Sequence, residues 1–425
     1  MSIRALKGFK DILPDEVVLW QFIEQAARDI FSRYGFEEIK VPILEKTELF
    51  VRTIGESTDI VEKEMYTFAD RNGAFITMRP EGTAPVIRAY IENGLHVRGA
   101  VQRLFTIGPM FRHERPQKGR MRQFHQMSVE VLGSRSARLD TEVMAMAWQI
   151  LQAIGLEASL EINSLGCAAC RPSFKEALQD FLRERTEKLC DDCRRRSSSN
   201  PLRVLDCKSA HCQEEYSAAP AITDHLCGGC RDHFDEVKQA LAGLGVPFAV
   251  NSKMVRGLDY YTRTTFELLT TELGAQGAIG AGGRYDGLVQ QLGGPDVPGI
   301  GFAMGMERLV MLLDQKKDRQ ELVVGLDIFL VTLGEAAAAK GFVLMQELRA
   351  GGLRVMMDHE GRSMKSQMKQ ADKLKAGHVL ILGDDELVKG EALLKDMYSG
   401  SQEPVSLASG SVDSAVAIRN KIRKP

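Results

Sequence analysis

The sequence has no long apolar run. No stretch approaches about eighteen uncharged apolar residues, so no membrane span is predicted. The opening residues Met1-Ser2-Ile3-Arg4-Ala5-Leu6-Lys7-Gly8 lack the apolar run of a secretory signal, so export is not expected. There is no excess of charge of one sign: 55 Lys and Arg stand against 57 Asp and Glu, a net charge of −2. That excludes a uniformly basic nucleic-acid coat and leaves room for a local basic cleft. Internal repeats and low-complexity tracts are also lacking, and cysteine is missing from all but one segment. What remains is ordinary globular material. The 425 residues, 44% hydrophobic and 26% charged, hold enough apolar side chain for two or three domains. A cytoplasmic location is the expectation.

All eight cysteines lie in one segment, as the pairs Cys167/Cys170, Cys190/Cys193, Cys207/Cys212 and Cys227/Cys230. In a reducing compartment such pairs are free thiols or metal thiolates rather than a disulfide scaffold. The 19 residues between Cys170 and Cys190 fit the spacing of zinc-binding pairs. Eight thiolates suffice for two four-sulfur structural zinc sites. Which pairs meet is open, and so is the alternative that some are plain thiols or a redox couple.

The apolar period shows how the chain is organised. Ile23, Ala26, Ala27, Ile30, Phe31 and Tyr34 repeat at three and four, predicting a helix from Pro14 that Gly35 stops. Strands are predicted over 36–42, 74–78, 104–107 and 124–132, the last with Gln126, Ser128 and Glu130 on one face. Residues 166–244 break this pattern as a helical, charged, cysteine-bearing insertion with its own small core. Strand character returns at 264–269, followed by glycine-rich sequence over 280–305 and a helix over 307–313. A charged linker is expected over 315–320. Strand and helix then alternate: strands at 327–332, 353–357 and 379–382, helices at 335–349 and 363–375. This predicts an α/β domain with a largely parallel sheet over 325–425.

Four stretches carry chemistry. Arg112, Arg115, Lys118, Arg120 and Arg122 lie in a loop between two predicted strands, a charge density suited to polyphosphate. A solvated loop is the plainer alternative. Arg79-Pro80-Glu81-Gly82-Thr83 places a carboxylate and a hydroxyl where an ammonium group can be held, or where a helix is capped. Val255-Arg256-Gly257-Leu258-Asp259-Tyr260-Tyr261 brings a guanidinium and two phenols together, unless it is only a turn. Gly282-Gly283-Arg284-Tyr285-Asp286-Gly287 and the segment from Gly299 to Arg308 permit close backbone approach to a ligand.

Together these stretches resemble the class II aminoacyl-tRNA synthetases. The segment from Gly299 to Arg308 is similar to their motif 3. Phe111-Arg112-His113-Glu114 followed by Phe124 is similar to motif 2, and the helix ending at Gly35 with the strand ending at Pro42 looks like motif 1. Arg256-Gly257-Leu258-Asp259-Tyr260-Tyr261 resembles a peptide particular to histidyl-tRNA synthetases, and Phe111 to Arg120 looks like their bacterial form. The resemblance implies an α+β catalytic core on an antiparallel sheet over 1–320, interrupted by the insertion, with a C-terminal anticodon-binding domain. It also implies a homodimer, built on motif 1. The cysteine pairs depart from familiar members.

The implied reaction has two steps: histidine is activated by ATP, with Mg²⁺ at the pyrophosphate moiety, and then moved to tRNA(His). The resemblance carries roles residue by residue. Arg112 and Arg256 meet the α-phosphate and the amino-acid carboxylate side. Arg308 and Phe124 hold adenine, with Arg308 also able to reach the γ-phosphate. Glu114 accepts from the adenine amino group, and Arg120 meets the distal phosphates. Glu81, Thr83 and Gln126 take the ammonium group. Glu130 accepts from the imidazole donor, Tyr261 donates to its acceptor, and Tyr260 lies in the same pocket. Gln117 and Arg120 lie near the tRNA acceptor end. Lys365, Lys369 and Lys373 share one predicted helix face that can meet phosphate, or is an ordinary solvated stripe. Two rivals are a histidine-binding regulatory paralogue and a zinc-dependent nucleic-acid binder. The first usually lacks the C-terminal domain and parts of the arginine set. The second leaves the arginine and glycine motifs unexplained.

Overall fold

The computed structural model describes residues 3–55, 58–207, 209–272, 277–407 and 411–422. The outer ends of the two predicted ranges, residues 1–2 and 423–425, lie outside them. The chain divides into two compact units, Met1–Arg319 and Gln320–Pro425.

In the first unit, the helix Pro14–Arg33 buries Leu19, Trp20, Ile23, Ala27, Ile30 and Phe31, the face its apolar spacing requires. Gly35, at φ +73°, turns the chain out of it. Four short strands follow: β1 (Glu37–Glu38), β2 (Leu44–Lys46), β3 (Tyr66–Ala69) and β4 (Phe75–Met78), the last three forming a small antiparallel sheet. The strand expected over 36–42 is only two residues long. Beyond Ile39 the chain leaves the sheet, and the Arg79 side chain, not a neighbouring strand, bonds the Val41 carbonyl at 2.9 Å.

The main sheet adds β5 (Gln102–Phe111), β6 (Gln123–Leu132), β7 (Ser159–Ser164), β8 (Phe248–Val250), β9 (Thr262–Leu269), β10 (Ala278–Arg284) and β11 (Gly299–Gly305). Its spatial order is β1-β5-β6-β11-β10-β9-β7-β8. Pairing is antiparallel throughout the centre and parallel only for β1 with β5 and β7 with β8. The helix Met306–Lys316 follows β11 directly and runs into the expected linker.

The cysteine-bearing insertion is helical, with helices Arg171–Arg183, Asp191–Ser199, Ala210–Glu215 and Gly228–Gly243. A small cluster of Cys170, Leu226 and Cys230 is its own, as expected, but its larger core is shared. Phe174, Leu178, Leu182 and Val204 pack in one apolar cluster with Tyr260, Tyr261 and Tyr285, which lie outside the insertion. Its last helix is tied to the helix Ala137–Ala153 by His233 Nε2 and Asp140 Oδ2 at 2.8 Å. Asp140 also pairs with Arg284, both fully buried.

The second unit is a five-stranded sheet in the order β13-β12-β14-β15-β16, with β12 (Ile328–Leu333), β13 (Val355–Met357), β14 (His378–Gly383), β15 (Glu391–Asp396) and β16 (Gln402–Ser406). The first three strands pair in parallel. The last two form an antiparallel extension that the sequence pattern did not reveal. Helices Glu335–Ala350 and Met364–Lys373 alternate with the strands, and Lys365, Lys369 and Lys373 are exposed along the latter.

Candidate active site

The polar stripe on β6 becomes the floor of a cleft through strand register. Ser128 faces Thr106 on β5 and Ala303 on β11. Ala303 in turn faces Ala281, which faces Glu267 on β9. One row of the sheet thus holds polar groups at its ends and alanines in the middle. In the neighbouring rows, Gly301 lies opposite Glu130 and Gly305 opposite Gln126. Small residues on β11 leave space above β6, and the result is a cleft of about 360 Å³.

Four arginines line that cleft: Arg112, Arg120, Arg256 and Arg308. Each is oriented by the protein. Arg112 Nε donates to the Pro80 carbonyl at 2.8 Å, and its guanidinium lies 5.3 Å from the Phe124 ring centre. Arg120 donates to Glu114 at 3.2 Å. Arg256 is paired with Glu267 and lies over Tyr261, 5.8 Å from its ring centre. Arg308 Nε donates to the Gly119 carbonyl at 3.3 Å. Of the basic residues of that loop, only Arg112 and Arg120 line the cleft, with Glu114 and Gly119 beside them. Arg115, Lys118 and Gln117 are exposed, Gln117 at a tight turn closed by its backbone bonds with Arg120.

Glu81, Thr83, Gln126, Tyr260 and Tyr261 line the same cleft. Glu81 also caps the helix Thr83–Glu92, accepting from the amides of Thr83 at 2.7 Å and Ala84 at 2.8 Å. Burial pushes its carboxyl upward against those bonds. Glu130 lies just beneath, bonded to two lining residues: it accepts from Thr83 Oγ1 at 2.7 Å and from the Tyr285 hydroxyl. Burial raises its carboxyl to about 8, with both hydrogen bonds opposing. Gln126 Oε1, Ser128 Oγ and Arg256 Nε are buried and find no hydrogen-bond partner among the described residues. Three unmet polar atoms around one cleft are the usual mark of a ligand site.

The motif reading did not single out Tyr285, Glu64, Glu267 or Glu307. Tyr285 sat in a stretch read for its glycines. Glu64 lines the cleft beside Arg112, and burial raises its carboxyl. Glu307 holds the His125 amide at 2.9 Å and 3.0 Å. Arg284, from the same glycine-rich stretch as Tyr285, does not enter the cleft; it is committed to Asp140 and Asp286.

The cysteines form two groups away from the cleft: Cys167, Cys170, Cys227 and Cys230, and Cys190, Cys193, Cys207 and Cys212. The donor set is thiolate only, which suits a thiophilic tetrahedral ion.

A broad antiparallel sheet with an arginine-lined cleft on one face, followed by a separate small α/β unit, is the class II aminoacyl-tRNA synthetase fold. Comparison with known proteins agrees. The family described as Histidyl-tRNA synthetase matches residues 8–309, and the Anticodon binding domain matches 327–411. A histidine–tRNA ligase of Desulfotalea psychrophila is 58% identical over 98% of this chain and 97% of its own length. One from Trichlorobacter lovleyi is 55% identical, covering 98% and 99%. The apo histidyl-tRNA synthetase of S. aureus superposes with a TM-score of 0.82 at 36% identity, over 97% of this chain and all of that one. This chain belongs to the histidyl-tRNA synthetase family.

Proposed function

We propose that the cleft joins L-histidine to ATP as histidyl-adenylate, releasing pyrophosphate, and then passes the histidyl group to the 3′ end of tRNA(His), releasing AMP. The chain is a histidine–tRNA ligase, an ATP-dependent aminoacyl-tRNA synthetase whose nucleotide substrate is ATP with Mg²⁺. The observation that carries the residue-level reading is the convergence of four arginines with Glu81 and three unmet polar atoms, over a Glu130 bonded to the lining residues Thr83 and Tyr285.

The attacking histidine carboxylate is already an anion, so the first step needs no general base. The barrier is one of positioning and charge neutralisation. Arg112 and Arg256 approach the α-phosphate and the substrate carboxylate from two sides. Their guanidinium forks stabilise the charge that builds on the phosphoryl oxygens. Arg120 takes the distal phosphates. Phe124 and Arg308 sandwich adenine, whose amino group donates to Glu114.

Glu81, Thr83 and Gln126 receive the ammonium group. Glu130 accepts from the imidazole N–H, and Tyr261 donates to the other ring nitrogen beside Tyr260. A site built from buried polar groups rejects a side chain that leaves them unpaired, by about 10⁴-fold or more.

The second unit reads tRNA(His), with Lys365, Lys369 and Lys373 as its phosphate-facing stripe. Gln117 and Arg120 meet the acceptor end. A homodimer in the cytoplasm completes the reading. No described helix is long and apolar enough to cross a membrane. Structural zinc at the two cysteine groups belongs to the same reading.

ATP–pyrophosphate exchange is the deciding assay. Exchange stimulated by L-histidine alone among amino acids supports the reading; its absence refutes it.

A further inference from the structure

The two cysteine groups are nested along the chain. Cys167 and Cys170 join Cys227 and Cys230, while Cys190, Cys193, Cys207 and Cys212 close a second group inside that loop. Within each group all four sulfurs lie within 4.8 Å of one another. Individual Sγ–Sγ separations are 3.7 Å for Cys167 to Cys170, and 3.9 Å for both Cys167 to Cys227 and Cys190 to Cys207. A tetrahedral zinc with bonds of about 2.3 Å requires sulfurs about 3.8 Å apart. A disulfide requires about 2.05 Å. Backbone amides already address these sulfurs, Cys227 N to Cys170 Sγ at 3.2 Å and Cys190 N to Cys212 Sγ at 3.3 Å. Cys190 and Cys227 each immediately precede a helix, where the backbone dipole favours a thiolate.

Both groups are wired to the peptide that carries Arg256, Tyr260 and Tyr261. Arg171, next to Cys170, donates from its guanidinium to the Tyr261 carbonyl. Gly166, next to Cys167, accepts from the Arg263 amide at 2.8 Å, and Leu165 donates to the Arg263 carbonyl at 2.7 Å. Gly166 sits at φ +59°, and a Cβ there would lie 2.6 Å from the Cys170 Cβ, so this approach requires glycine. Within the loop of the inner group, Arg203 lies between Cys193 and Cys207 in sequence. Buried Arg203 donates to Asp259 Oδ1 from two nitrogens, at 2.8 Å and 3.2 Å. A peptide outside helix and strand, bearing two pocket tyrosines, is thus held from behind at Asp259 and at Tyr261.

Resting on the zinc reading, we propose that the nested zinc sites are positioning elements for histidine recognition, the outer acting on Tyr261 through Arg171 and the inner on Asp259 through Arg203. Neither ion touches substrate. Each closes a loop of the insertion so that one arginine is presented at a fixed depth, and the two arginines set where the tyrosines meet the imidazole.

The test compares full-length wild type with Arg171→Met, Arg203→Met and Cys227→Ser. Zinc per chain is measured by mass spectrometry of the metal, alongside KM for L-histidine, KM for ATP and kcat in pyrophosphate exchange. Reduced wild type should carry two zinc ions per chain, one for each four-cysteine group. The arginine variants should keep both ions while KM for histidine rises about tenfold, the worth of a hydrogen bond to a charged group, with KM for ATP little changed. Cys227→Ser should lose one ion and show the same selective rise. Full zinc content with unchanged histidine KM in both arginine variants overturns the positioning role and leaves zinc standing. An equal rise in both KM values also overturns it, as general loosening of the fold. Metal-free reduced wild type overturns the zinc reading itself, and histidine-independent exchange overturns the function instead.

Discussion

Tyr285 donates its hydroxyl proton to Oε2 of Glu130 beneath the cleft, joining two residues 155 positions apart. Thr83 supplies the second bond to the same carboxylate. The imidazole acceptor in the proposed pocket is therefore held by two donors before substrate arrives, and this preorganisation sets the first expectation. Glu130→Ala should abolish most histidine-dependent exchange while ATP affinity stays close to wild type. Tyr285→Phe should raise KM for histidine by about 10- to 100-fold, the range for one hydrogen bond to a charged group. Unchanged histidine KM in both variants would remove Glu130 from the pocket.

The Glu130 carboxyl has a pH signature. Its value is raised to about 8 by burial, so its contribution to stability is full below the ordinary carboxylate range and is lost as pH climbs towards 8. Between pH 5 and pH 8 the unliganded protein should lose stability of order a few kcal/mol through this group. In Glu130→Gln that part of the slope should vanish. Calorimetric Tm at the two pH values, for both proteins, measures the difference. Histidine binding near pH 7 should likewise release protons from wild type and fewer from the variant, read by titration in buffers of different ionisation heat.

Arg256 is paired with Glu267, stacked on Tyr261 and carries an unmet Nε. Arg256→Ala should lower kcat for exchange by about 10²-fold or more. Because it also leaves Glu267 unpaired, Arg256→Lys is the informative companion. A point charge lacks the planar fork, so it should recover stability more than turnover. Turnover close to wild type in Arg256→Ala would reduce the residue to a structural one.

Asp140 is fully buried and accepts from both Arg284 and His233. Burial pushes its carboxyl up, but His233 and Arg284 outweigh that and hold it below the ordinary range. Its stabilising effect is therefore present near neutral pH and fades on acidification. Asp140→Ala takes one of two carboxylates from the buried Arg284, leaving Asp286, and removes the partner of His233, and should cost about 3 kcal/mol. Urea midpoints for the variant and wild type check it.

Truncation after Gln320 removes the second compact unit and leaves the cleft's residues in place. The shortened chain should keep histidine-dependent exchange and lose most aminoacylation of tRNA(His). Full charging by it would detach tRNA recognition from the second unit.

Much of this was legible in the sequence, where chemistry is written in short stretches. Arg112, Glu114, Phe124, Arg256 and Arg308 stand in compact motifs, and the alternation of Gln126, Ser128 and Glu130 announced a polar face. Sheet order was not legible, since β6 meets β11 across more than half the unit, and no local period encodes that pairing. The glycine-rich stretch at 282–287 was read for backbone freedom, and its two large side chains were passed over. Tyr285 turns into the pocket floor and Arg284, the last residue of β10, into the core, a divergence between neighbours that glycine content does not predict. The strand expected over 36–42 was found but stops early as β1, because Val41 bonds to a side chain, an option a hydrophobic period cannot express. The insertion's shared core escaped notice for a related reason: an apolar face does not name its partner.

Gly301 lies directly opposite Glu130, and a methyl group added there would fall on the Glu130 carboxylate and the Val129 carbonyl. The change available with the least added bulk is thus already a collision. The space above that carboxylate therefore cannot be narrowed from position 301 unless the strand or Glu130 moves, because the wall there is main chain and the carboxylate rests against it.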